Sequence, residues 1–188
     1  MIIDDEQLIQ AVIKGDRESA DFLVNKYYKI IYSFVYKLTQ DYHISYDLTQ
    51  EVFIKAIRSI KKYKHQDKLK AWLLAIASNS VKDYFRKESR EKLQVYDINL
   101  DIEDQCSNNS LEKLEREENK EYLKRAIDAL SLDMKEVIML RYFYNMKISE
   151  ISKITSTNES TVKTRLRRAL KYLNNKLEGG ADYEKKAY

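Results

Sequence analysis

The sequence predicts an all-α protein made of two small helical domains joined by a flexible linker. Three observations carry this. The 188 residues include no proline and only three glycines, Gly15, Gly179 and Gly180, whereas turn-rich all-β folds depend on those residue types. Apolar residues recur at helical spacing in both halves. The charge also changes sign twice along the chain: Met1–Arg90 carries +4, Glu91–Glu121 carries −6 and Tyr122–Tyr188 carries +6. Inside the acidic stretch, Asp97–Ser110 has no sustained periodicity and reads as a tether. The expected layout is a domain over 1–90, a linker over 91–112, a domain over 113–178 and a tail over 179–188.

Asp4 to Lys14 patterns as a short helix, with acids at its positive end and Gly15 as its stop. Asp16 is placed to cap a second helix, in which Leu23, Tyr27, Ile30 or Ile31, Phe34 and Leu38 form a core stripe. A third runs over Tyr46–Ile60, aligning Leu48, Val52, Phe53, Ala56, Ile57 and Ile60. The stretch "KKYKHQDKLK" then sets five lysines against Asp67 and has no apolar period before Leu69. From about Asp67 to Arg90 a fourth helix buries Leu69, Leu73, Ile76, Ala77 and Tyr84, with Ser78, Asn79, Lys82 and Arg86 on its other side. Most of these apolar residues are core and nothing more. The loop is different, because Tyr63 and His65 lie among cations such as Lys64. An aromatic in that company can stack a base while the cations hold backbone.

Near the C-terminus, Ile148, Ile151 and Ile154 pattern a short helix before a polar break. Asn158 is a good N-cap for the next helix, whose buried stripe is Val162, Leu166, Ala169, Leu170, Leu173 and Leu177. The opposite face carries Ser160, Thr161, Thr164, Arg168 and Lys171, flanked by Lys163, Arg165 and Arg167. Most charged helical faces are simply solvated, but those usually mix signs to gain i, i+4 pairs. Here no acid interrupts between Glu159 and Glu178. A short helix, a tight turn and a basic second helix make a helix-turn-helix, whose second helix enters the major groove.

Other chemistry is poorly provided for. The single Cys106 leaves no internal disulfide and no cysteine-based zinc site, and His43 and His65 are the only histidines. No metal, cofactor, small-molecule substrate or catalytic residue is therefore expected, and the chain is not read as an enzyme. No long apolar run or signal peptide appears, so a soluble cytoplasmic protein is expected. The fifteen tyrosines read as compositional bias.

Four motifs in order carry a resemblance: "DLTQEVFIKAI", "KAWLLAIASNSVKDYFRK", "EVIMLRYFYNMKISEIS" and "STVKTRLRRALKYL". From about Asp16 to Leu177 the chain resembles a bacterial RNA polymerase sigma factor of the extracytoplasmic-function (ECF) group. The resemblance implies that Asp47, Gln50, Glu51 and Phe53, within D-L-x-Q-E-x-F, dock on the clamp helices of core RNA polymerase. It implies that the Trp72 helix, bearing Asn79, Lys82 and Arg86, melts the promoter's minus-ten element. Tyr63, Lys64 and His65 would lie in the base-pocket loop, Lys62–Asp67. It further implies that Thr161, Lys163, Thr164, Arg165, Arg167, Arg168 and Lys171 read promoter DNA at the minus-thirty-five element. A cognate anti-sigma factor, usually membrane-linked, is also implied. The chain departs from the family pattern at Tyr46, Ser131, Ser160 and Thr164. A stand-alone helix-turn-helix regulator and an enzyme acting on nucleic acid are the other function classes. The first leaves "DLTQEVF" unexplained, and the second lacks an acid pair or metal site.

Overall fold

A computed structural model describes residues 4–63, 68–92 and 122–185, and the side chains of all of these except 91–92 and 177–185. Lys64, His65 and Asp67, Cys106 and residues 93–112 of the expected linker lie outside the described residues, as does the side chain of Leu177, while residues 91–92 belong to a helix.

The first half is four helices. α1 (Asp5–Ile13) ends at Gly15, whose φ of +91° suits a residue without Cβ. The Asp5 carboxylate then leaves its own helix end to accept from Lys26 Nζ at 2.7 Å and from Tyr27 Oη at 2.5 Å, pinning α1 to α2. α2 (Arg17–Thr39) starts at the Asp16 cap, which accepts from the Ser19 amide at 3.0 Å, and closes at Gln40 in the left-handed region. α3 (Tyr42–Ser59) starts four residues before the expected Tyr46, because Asp41 caps it through the Ile44 amide at 2.9 Å. A 3₁₀ turn, Ile60–Lys62, follows, and α4 (Leu69–Lys92) completes the set.

Phe34, Ile31, Val35, Leu73, Leu74 and Ala77 are fully buried between these helices. Burying each larger member contributes about 1.5–3 kcal/mol. The apolar stripe of α4 is broader than expected: Leu74 and Val81 are core, while Ile76 and Tyr84 are half-buried. Ile30 is also half-buried, and Ile57 is exposed. The extra width on α4 has a cause. This helix packs on α2 and α3 with one side and on the second half of the chain with another.

That second half begins with helical residues 122–128, here α5. α6 (Leu132–Ile138) runs into a π-helical turn, Met139–Phe143, which ends on Tyr144. α7 (Ile148–Thr155) has the Glu150 carboxylate accepting from the Lys147 amide at 2.8 Å, one limb of a capping box. Ser156, at φ +54°, turns the chain. α8 (Glu159–Lys185) opens on Asn158, whose Oδ1 accepts from the Thr161 amide at 2.7 Å. It runs through Gly179 and Gly180, where the sequence suggested that a tail begins. Val162, Leu166, Ala169 and Leu173 close the small core against Val137, Leu140, Ile151 and Ile154, while Leu170 is exposed.

Candidate nucleic-acid and polymerase interfaces

On α8 the expected cations separate into two kinds. Lys163, Arg167, Arg168 and Lys171 are exposed on a helix end that Asn158 has capped. Thr161 and Thr164 sit between them half-buried, and the Thr164 hydroxyl donates to the Ser160 carbonyl at 2.9 Å. That hydroxyl oxygen keeps acceptor capacity but has used its hydrogen. Arg165 is turned the other way. Its Nη2 lies 2.5 Å from Asp133 Oδ2 at the start of α6, and its Nη1 is buried with no hydrogen-bond partner. Among the expected α8 cations, this one braces α8 on α6. The sequence carried one signal for it: an acid in the first turn of a helix is a natural neighbour for a cation packed there.

On α3, Asp47, Gln50 and Glu51 share an exposed face with Ile54, and Glu51 reaches Lys55 at 2.7 Å. Phe53 does not belong to that surface. It is only 4% exposed and acts from inside the core, its ring stacked 6.3 Å from Tyr28. Beside the polar face stands a feature that the reading of the tyrosines as compositional bias missed. Tyr28, Tyr32 and Tyr36, one helical turn apart on α2, stack at centroid distances of 6.0 and 6.1 Å, and Tyr42 meets Tyr32 edge-on. Partial burial, and then the neighbouring tyrosine hydroxyls, push the Tyr28 and Tyr32 phenols above their ordinary range. The i, i+4 spacing of the three was the available signal.

On α4, Asn79 and Arg86 are exposed, and Arg86 pairs with Asp83 at 2.8 Å. Tyr63 leans on Trp72 at 5.1 Å, and its hydroxyl accepts from the Lys68 amide at 3.1 Å. Ser78, expected on the outer side with these residues, is instead fully buried. It donates to the Glu136 carboxylate of α6. Lys82 is drawn to the same carboxylate, its Nζ 2.9 Å from Oε2, and also donates to Ser78 Oγ at 3.1 Å and to the Thr155 carbonyl at 3.4 Å. Asn79 and Arg86 are thus open to solvent, and Lys82 between them is engaged.

Among the described residues there is no group of three or more His, Cys, Asp or Glu able to hold a metal ion. Among them, too, no helix is long and apolar enough to cross a membrane.

The family described as Sigma-70 region 2 matches residues 23–91, and Sigma-70, region 4 matches residues 120–173. The ECF RNA polymerase sigma factor SigX of Bacillus subtilis is 30% identical over 164 residues, which cover 86% of this chain and 84% of the relative. RNA polymerase sigma factor SigV of the same organism is 32% identical over 151 residues, covering 78% of this chain and 81% of the relative. The ECF RNA polymerase sigma-E factor of Escherichia coli is 27% identical over 181 residues, covering 93% of this chain and 94% of the relative. Among solved structures, the fold is shared with the sigma factor RpoE from Bartonella quintana, crystallised with the anti-sigma factor NepR. The TM-score is 0.66 at 24% identity, over 84% of this chain and 96% of that one. With both regions matched in order, the chain belongs to the sigma-70 family in its ECF group, and is a promoter-specific initiation factor of RNA polymerase.

Proposed function

We propose that the two halves divide promoter recognition, and that neither performs covalent chemistry. The half ending near Arg90 docks on core polymerase through Asp47, Gln50 and Glu51 of α3, with Phe53 holding that helix from beneath. Its α4 face, with Asn79, Lys82 and Arg86, and the loop bearing Tyr63, Lys64 and His65 take bases of the minus-ten element from the stack. Extruding a base costs a few kcal/mol, a cost met only while polymerase holds the complex. The half from about residue 113 reads the minus-thirty-five element as duplex. Lys163, Arg167, Arg168 and Lys171 supply phosphate and base contacts, Thr161 and Thr164 stand within reach of base edges, and Arg165 positions the helix.

The observation that carries this reading is the α8 face. Four exposed cations share it with no acid, on a helix whose N-terminus is capped and set by a short preceding helix. Two tethered DNA sites also gain from effective concentration. The protein acts in the cytoplasm, beside polymerase and DNA. The sigma factor RpoE, which shares its fold, was crystallised with the anti-sigma factor NepR, and CnrH, which also shares it, was solved with the cytosolic domain of CnrY. We assign this chain a partner of that class, which in a membrane-linked form would hold it at the membrane.

The test is run-off transcription by purified core polymerase with and without this protein on a library of promoter variants. Initiation confined to templates with a specific pair of elements is the expected result. A stand-alone regulator would bind the upstream element without supporting initiation by core enzyme. An enzyme acting on nucleic acid would alter the template itself.

A further inference from the structure

Tyr63 stands at one end of the loop assigned to base capture, and its side chain is already engaged. Its own amide donates to the Ile60 carbonyl at 3.0 Å, which fastens it to the 3₁₀ turn. That turn packs in its turn on α1 and α3. The half-buried ring of Tyr63 lies against the core of the first half, 5.1 Å from the Trp72 ring and tilted 54° to it. Burial first, then Asp5, and last the neighbouring Tyr63 phenol hold the Tyr27 phenol above its ordinary range. The Tyr63 hydroxyl accepts from the Lys68 amide at 3.1 Å. Lys68 immediately precedes α4, and its carbonyl takes the first bond of that helix, from the Trp72 amide at 3.0 Å. An amide in this place has no partner within its own helix. In a capping box the residue three positions on reaches back to it. Here that residue is Ala71, which has no polar side-chain atom, and Tyr63 supplies the oxygen from across the loop.

We propose that Tyr63 is a positioning residue for base capture: its hydroxyl on Lys68 and its ring on Trp72 fix both ends of the loop to the first turn of α4. The proposal rests on the minus-ten reading above and deepens it, because it assigns Tyr63 to holding the loop rather than to stacking a base. Tyr63 and Lys68 flank residues 64–67, so one hydrogen bond ties the chain on either side of them. Asn79 follows Trp72 by seven residues, about two helical turns, and both therefore stand on one face of α4. The ring on which Tyr63 leans thus begins the face along which exposed Asn79 is placed. Extruding a base is costly, and receiving groups that need no further ordering lower that cost. The hydroxyl separates the two roles. A ring that stacked on a base would do so as phenylalanine too, whereas accepting from the Lys68 amide requires the oxygen.

The experiment uses the full chain with purified core polymerase. Tyr63→Phe keeps the ring and removes the acceptor oxygen, while Tyr63→Leu keeps apolar bulk and removes the ring. In the free chain Tyr63→Phe should speed hydrogen exchange of the Lys68 amide about threefold to tenfold. On promoters varied at the minus-ten element it should lower permanganate reactivity of unpaired thymines, and flatten base choice there, by a similar factor. Closed-complex formation and choice at the minus-thirty-five element should stay as in wild type, and the domain should unfold at close to the wild-type temperature. A template already unpaired across the minus-ten element should not restore base choice, because capture rather than melting is impaired. Wild-type transcription by Tyr63→Phe overturns the proposal; if Tyr63→Leu alone fails, the ring itself stacks on the base. Equal losses at both promoter elements, or a fall in stability that accounts for the defect, would make Tyr63 merely structural and also overturn it. Failure of the wild type to initiate at all refutes the promoter reading, and the positioning role with it. A defect confined to Tyr63→Phe in a working factor bears on Tyr63 alone.

Discussion

Arg165 and Arg168 stand three residues apart on α8, and the structure predicts that their removal fails in different assays. Arg165 is 22% exposed in its side chain and holds Asp133, which is 48% exposed, across to α6. Exposed ion pairs are worth about 0.2–1 kcal/mol, and breaking a buried one costs about 3–5 kcal/mol. A pair with one side half in water belongs near the lower end, because Asp133 regains solvent when its partner is lost. Arg165→Ala should therefore destabilise the second half by about 1–2 kcal/mol, including the packing of the guanidinium stem. At about 4–8 °C per kcal/mol for a domain of this size, that is a readable fall in melting temperature. Arg168 is exposed. Arg168→Ala should leave stability within about 0.5 kcal/mol but cost about 1–3 kcal/mol at the promoter and relax choice at one or two upstream base pairs. Thermal unfolding, beside run-off transcription on single-base promoter variants, separates the two. A double-mutant cycle with Asp133→Asn should recover a coupling of about 0.5–1 kcal/mol. If Arg165→Ala keeps full stability and flattens one base position as Arg168→Ala does, both arginines read DNA and the bracing role is wrong.

Reversing Glu51 to Lys should weaken binding of core polymerase about tenfold or more while circular dichroism stays unchanged; retention of full binding in a pull-down removes α3 as the docking face. Asn79→Ala should spare closed-complex formation and reduce permanganate reactivity of unpaired thymines; because Asn79 is exposed, thermal stability should hold within about 0.5 kcal/mol. For pH, burial first and then the hydrogen bond to Asp5 hold the Tyr27 phenol well above its ordinary value of 10.0. A raised folded value means that this stability is complete below the unfolded value and is lost as pH climbs from there toward the folded one. Tyr27→Phe should soften that alkaline loss while costing about 1–2 kcal/mol at neutral pH, as denaturation midpoints across pH would record.

Local physics was legible in the sequence and non-local pairing was not. Asp16 and Asn158 announced helix starts because a cap is a matter of three consecutive residues. Asp41 does the same at α3 and went unused, since the apolar stripe was counted from Leu48 outward rather than from its cap. The core of α2 was readable because that helix buries one stripe. That of α4 was misjudged because it buries two, and helical periodicity presumes a single covered side. Tyr28, Tyr32 and Tyr36 looked like compositional excess until their rings were found stacked.

Glu136 marks where such reading ends. In the motif "EVIMLRYFYNM" a glutamate beside four apolar residues is indistinguishable from an ordinary charged position at a helix edge. Nothing within a few residues of it supplies the cation or hydroxyl that its burial requires. Both lie fifty-odd residues upstream, at Ser78 and Lys82. There the same logic of periodicity assigned them to solvent and DNA. Helical periodicity treats each half as if it were the whole protein, so a pairing between the halves leaves no mark in it. A surface that binds DNA and a surface that binds the other half of the chain share their chemistry: exposed donors on a helical face, waiting for an anion. Glu136 is an anion that the chain itself can bring to that face. The Lys82 ammonium, 2.9 Å from Glu136 Oε2, is held by that anion across the two halves.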